Sequence, residues 1–564
     1  MPRYFDGDLL RINASELKPM ARLWGGTSTM RKDDCIACIR HGLANPNRVQ
    51  RVIASLEPWE RNALALIKRM GGVIELHTLL VGIVASGIHP HRRNDVYREE
   101  CVHSLVRKGL ILAADSYSPG YVSNSYGSGS TLYTDERLLA HVGFPEFRPL
   151  DIHPMTTIPD TRYRLPSTVV LDIVGILQAI ENMDGLRLTQ AGQVRTADEK
   201  KVQRAMHWGE KGMEVDGLYF PNPIGAWVSA FRYSDLLALQ DDNRLVVKES
   251  SASFAQRPYS EQVRLLLEGL IRSPSWTEMP EGYFYDRGDV CRGRLALTMT
   301  LSALPVDPGA FFSMQAFDQA LFDRIGEDFS LDYLPQRPFL LHSRTDKERE
   351  QELAAWRARL RASWLKEERP WLESALTTWL YFLGLVELAV ENGAVTGFRL
   401  TDIGRATFHP ESQELAQAVE AGCQSSGESA WVVQPNFDVI AYLDRTSAPQ
   451  LAFLERHAER VQTDRHTARY RLTRESVYQG LESGTALADL LGGLQEGCHH
   501  ALPQNVIIEL REWASLRERI LVRRGARLLE FQTAEVDRRG DRFSALPAAA
   551  ELTDDADRRS PGAW

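Results

Sequence analysis

The chain has 564 residues, too many for one hydrophobic core, so several domains are expected. Its 43% hydrophobic and 25% charged residues suit an ordinary globular protein; no apolar run nears the ~20 residues of a membrane span, and six scattered cysteines form no disulfide framework. The net charge of −9 is unevenly spread: residues 1–110 hold 17 Lys and Arg against 11 Asp and Glu, which leaves −15 for residues 111–564.

Residues 1–56 read as a helical N-terminal segment. Ser15 is a candidate N-cap, Leu17, Met20, Ala21 and Trp24 recur at helical spacing, and Gly25-Gly26 stop the run. A second helix over Arg31–His41 puts Cys35, Ile36 and Ile39 on one side. Leu17-Lys18, Ala21, the Gly25-Gly26 turn, Arg31-Lys32 and Ile36 resemble a SAP-type DNA-binding helix pair. Cys35-x-x-Cys38 lacks the second pair that a zinc site needs, so buried thiols are expected.

Residues 57–150 show three apolar-periodic helices (Glu60–Met70, Glu75–Ala85, Asn94–Lys108), then strands at Leu110–Leu112 and Thr131–Tyr133. This is the helix-turn-helix plan with a wing, whose third helix can enter a major groove. An octapeptide then occurs twice. Gly185-Leu186-Arg187-Leu188-Thr189-Gln190-Ala191-Gly192 and Gly397-Phe398-Arg399-Leu400-Thr401-Asp402-Ile403-Gly404 agree at five of eight positions. Each reads as a short strand ending on a threonine that N-caps the next helix. The copies centre a second winged-helix-like unit over 164–250 and a third over 351–422, with a helical middle region, 251–350, between them. In the third, Asn392-Gly393 marks a hairpin. Residues 533–564 lose periodicity and read as a disordered tail.

The segment 430–532 has a different pattern. Val433-Gln434-Pro435-Asn436-Phe437, Tyr470-Arg471-Leu472-Thr473-Arg474-Glu475-Ser476, Gly484, Leu502-Pro503-Gln504-Asn505-Val506 and Trp513 resemble the N-terminal domain of XPB-type DNA helicases, a module also found in bacterial proteins without a motor. The resemblance implies a small α/β domain that accompanies DNA unwinding. It implies no ATPase here, since no G-x-x-x-x-G-K-[ST] loop is present to cradle phosphates. No G-x-S-x-G elbow or metal-binding box occurs either, so no catalytic residue, metal site or cofactor is assigned.

The expectation is a cytoplasmic, mainly α protein with α+β units: tandem winged-helix-like domains followed by a helicase-associated α/β domain. It would bind DNA through its basic N-terminal residues and serve a separate helicase or nuclease in repair or defence; a scaffold that never touches DNA is the alternative. Counterion release favours a positive contact surface. The candidate contacts are Arg31, Lys32, Arg92, Arg93, Arg107 and Lys108 for phosphates, and Asn94 and Arg98 for base edges.

Overall fold

The computed structural model describes residues 5–89, 97–114, 130–190, 192–206, 214–215, 218–220, 223–279, 287–305, 307, 309–331, 345–423, 429–464 and 466–517. The protein is mainly helical, with several small antiparallel sheets. The tail 533–564 lies outside the described residues.

One order of elements recurs three times among the described residues: helix, strand, two helices, two strands, with the strands hydrogen-bonded first–third–second. In the first unit these are the helix Pro58–Arg69, strand Val73–Glu75, helices Leu76–Ser86 and Tyr97–Arg107, and strands Leu112–Ala113 and Thr131–Tyr133. In the second they are Pro166–Asn182, Leu186–Arg187, Thr196–Arg204, Pro223–Tyr233, Leu237–Leu239 and Arg244–Val247, with a small hairpin inserted at 214–219. The third runs Arg287–Leu301, Phe312–Ser313, Met314–Ile325, Glu368–Ala375 continuing to Leu380, Val386–Glu391 and Ala394–Leu400, with Asp346–Lys366 as an added helix.

The third unit therefore begins near 287, and the expected division at 350/351 falls inside it. Phe312 and Ser313 pair with Phe398 and Gly397 across that division. Asp160–Arg162, upstream of the second unit, adds a fourth strand by pairing with Leu388–Val390. These hydrogen bonds join segments hundreds of residues apart, which no local pattern announces.

The two octapeptides turn out to hold different places. The first supplies the opening strand of its unit, the second the closing strand of its own. Thr401 behaves as expected: its hydroxyl accepts from Gly404 N at 3.0 Å and caps Asp402–Phe408. Thr189 does not cap a helix. Its hydroxyl accepts from Gln193 N, its own N–H donates to the Gln193 carbonyl, and Leu188 bridges to Val194, so the chain turns back through Gly192 at φ +77°. The next helix begins at Thr196, after Arg195.

The N-terminal segment is a helical cap on the first unit. Its helices are Phe5–Asp8, Ala14–Leu23, Lys32–Leu43 and Pro46–Ala54. The N-cap of the second is Asn13, two residues before the expected Ser15. Phe5 meets Tyr133 edge-on at 6.3 Å, and Gly109 leaves room for Met20, where a Cβ would stand 2.9 Å from that side chain. Cys35 is buried, and the Cys38 thiol faces the Trp24 carbonyl at 3.4 Å. Two helices are apolar on all sides because units enclose them. Leu76–Ser86 packs on Arg287–Leu301, with Gly82 admitting Leu295. Pro166–Asn182 packs on Ala448–His457, with Gly175 admitting Arg460.

The C-terminal module has a four-stranded sheet in the order Trp431–Val433, Asp438–Tyr442, Thr467–Arg471, Glu459–Thr463. Its helices Arg474–Glu482, Leu487–Glu496 and Gln504–Arg517 follow. The expected helix through Ala458 and Val461 stops at His457, because Glu459–Thr463 pairs with Thr467–Arg471. Thr473 caps its helix, but the next begins after Ala486, so Thr485 is not its cap. The motif residues converge: the turn carrying Phe437 at φ +69° is held by Asn505 Nδ2, which donates to the Pro435 carbonyl at 2.7 Å, while Phe437 lies 5.6 Å from Trp513.

His457 is buried in this module. Nδ1 lies 2.8 Å from the Phe453 carbonyl, which can only accept, so Nδ1 carries the proton; Nε2 has no partner among the described residues. Burial, aided by Arg456 and opposed by the Phe453 hydrogen bond, brings its pKa down to about 4. The unfolded chain therefore binds this proton first, and the imidazole's contribution to stability is lost as pH falls from about 6.5 to 4, by roughly 1.4 kcal/mol per unit. Burial raises Glu368 to about 6, which works in the opposite direction as pH falls toward 4.5.

Two outcomes are expected. His457→Gln should flatten the acid limb of stability between pH 6.5 and 4, read as Tm against pH beside wild type. In the paired glycines, Gly192→Ala should cost about 1 kcal/mol, for its left-handed φ in open space. Gly404→Ala should cost over about 3 kcal/mol, since its Cβ would lie 2.0 Å from the Leu385 carbonyl; chemical denaturation compares the two.

Candidate nucleic-acid interface

A phosphate-binding surface needs cations that are exposed and not already neutralised by carboxylates. Arg31 is exposed at the N-cap position of Lys32–Leu43, a helix whose first turn also carries Asp33 and Asp34. Those carboxylates suit the positive end of the helix but work against phosphate there. Lys32 is partly buried, and its ammonium donates to the Leu10 carbonyl at 2.8 Å. It ties the first helical turns to the second helix.

Arg107, in the last turn of Tyr97–Arg107, is exposed. Lys108 has a structural duty. Its Nζ donates to both oxygens of Glu60 at 2.6 Å, and Ser104 donates to the same carboxylate at 2.7 Å. Glu60 is fully buried, so the ammonium supplies the charge that lets it be ionised there. Arg92, Arg93 and Asn94 lie outside the described residues, as does the side chain of Arg98. The structure thus places Arg31 and Arg107 on the surface, engages Lys32 and Lys108 internally, and does not bring the set together into one described patch.

Other cations of this region are also engaged. Arg40 reaches Asp6 at 3.6 Å, and Arg11 reaches Asp8 at 3.1 Å. Arg61 pairs with Glu146, and Arg137 forms a fork on Asp135 while touching Asp6. Much of the +6 excess is therefore tied to carboxylates, some of them beyond residue 110. Sequence separation hid this: Asp6 and Arg137 are 131 positions apart. Among the described residues no group of three or more His, Cys, Asp or Glu could hold a metal ion, and no helix is long and apolar enough to cross a membrane.

Lys108→Gln should lower stability by about 3 kcal/mol, because it strands the Glu60 carboxylate. Arg107→Gln should change stability by less than about 0.5 kcal/mol. Urea denaturation of the two variants beside wild type checks the contrast.

No protein-family model matches the chain, and no curated protein matches its sequence.

Proposed function

We propose that this protein is a non-enzymatic DNA-binding accessory factor built on three winged-helix-like units and a helicase-associated C-terminal domain. The observation that carries the reading is the threefold helix–strand–helix–helix–strand–strand order with strands paired first–third–second. That order is the plan of a winged helix, in which the third helix offers an outer face to the major groove and the last two strands form the wing. In the first unit the third helix is Tyr97–Arg107, and Val102, Leu105 and Val106 face the core while Arg107 faces out. The convergence of the Pro435–Phe437 turn, Asn505 and Trp513 supports a defined role for the residues shared with XPB-type domains. The motor or nuclease is a separate protein in this reading.

One observation favours the alternative, a protein-docking scaffold: the ion pairs of Arg11, Arg40, Arg61 and Lys108 remove charge that phosphate contact would use. Fluorescence anisotropy of labelled duplex, single-stranded and forked DNA across a salt series separates the two. Binding that weakens steeply with salt and loses about tenfold on joint reversal of Arg31 and Arg107 to Glu is expected. Absence of binding to all three at low salt overturns the DNA reading and leaves the scaffold.

A further inference from the structure

The helix Pro58–Arg69, the segment 143–147, the helix Tyr259–Arg272 and the end of Asp402–Phe408 enclose a cavity of about 180 Å³. One side is aromatic, from Phe144, Phe147 and Phe408. The other side carries Lys68, Arg69 and Arg264 with one carboxylate, Glu268. Lys68 already donates to the Val142 carbonyl at 2.6 Å, and Arg264 lies 3.8 Å from Glu268.

Arg69 is the anomaly. Its Nε is closed off from solvent and has no hydrogen-bond partner among the described residues. Its NH1 meets only the thioether of Met299, at 3.8 Å, and a thioether is a weak acceptor. Burial, partly offset by Glu268, pushes its pKa below the usual arginine value. Thr407, only 1% exposed, lines the same cavity with a hydroxyl that also lacks a partner. Other enclosed guanidiniums are matched: Arg294 by Glu278, Arg164 by Asp172, Arg460 by Glu455. An enclosed cation and an enclosed hydroxyl, both unmatched beside aromatic walls, describe a place for an anion with an apolar body.

We propose that this cavity binds a small organic anion: one ring, or a body of that size, bearing a carboxylate or phosphate. The charged end accepts from Arg69 and Thr407, and the body lies along Phe144, Phe147 and Phe408. The size fits, since a cavity of roughly 150 Å³ takes a benzene ring. The walls come from the first unit, the helix Tyr259–Arg272 and the third unit, so an occupant draws these parts together. The site stands independently of DNA binding.

The test uses the full chain with phenyl phosphate, benzoate, benzyl alcohol and inorganic phosphate as probes, followed by calorimetric titration and thermal denaturation. Phenyl phosphate or benzoate should bind and raise Tm, with benzyl alcohol and inorganic phosphate each at least about tenfold weaker. Arg69→Met should lose that binding yet melt higher than wild type without ligand, because the unmatched cation is gone. Thr407→Val should weaken binding several-fold with Tm little changed, and so tests the site separately. Three results would overturn the proposal: no response to either ring-bearing anion at millimolar concentration, equal binding of inorganic phosphate, or unaltered binding in either variant. An Arg69→Met chain less stable than wild type would also overturn it, by making Arg69 a structural cation.

Discussion

A guanidinium or ammonium taken out of water costs several kcal/mol unless a carboxylate and enough acceptors receive it. This protein meets that requirement where its parts join. Arg294 and Glu278 are both fully buried; the guanidinium donates to the two carboxylate oxygens and to the carbonyls of Leu270, Ser273 and Trp276, while Trp379 Nε1 donates to Glu278 at 2.9 Å. One side chain thus joins the end of Tyr259–Arg272 to two helices of the third unit. Arg164 bonds Asp172 of the second unit and the Phe382 carbonyl of the third. Arg460 of the C-terminal module pairs with Glu455 and reaches the Ala205 carbonyl of the second unit. Removing either member of such a pair leaves the other charged and buried, so these joints fix relative placement more strictly than apolar contact does.

The same requirement changes what net charge means for function. A surplus of +6 over residues 1–110 suggests a positive surface, but a cation held by a carboxylate from a distant segment adds little field. Arg137 with Asp6, and Arg61 with Glu146, are such cases. The cavity beside Arg69 is the opposite case, a cation that folding has enclosed without its counter-charge. DNA contact and anion binding are thus separate consequences of where charges are matched and where they are not.

Local patterns were legible wherever one side of an element meets water. Leu17, Met20 and Trp24 predicted a helix that is there, Asn392-Gly393 predicted a hairpin with φ of 52° and 80°, and Thr401 and Thr473 predicted caps that form. The octapeptide misled because eight residues specify a strand and a turn, not a place in a sheet. Gly397 sits where a Cβ would lie 2.7 Å from the Phe312 carbonyl, whereas Gly185 takes φ +99° at the end of a helix, so the shared glycine answers two different demands.

The sequence by itself determined the number and kind of most helices, the hairpins and the absence of a phosphate loop, because periodicity, turn residues and spacing act over a few residues. Tertiary structure alone decided that Phe312–Ser313 and Asp160–Arg162 flank one sheet, that Lys108 serves Glu60, and that Arg69 goes unmatched. Strand pairing and charge matching depend on which distant segments meet, and chain separation carries no record of that.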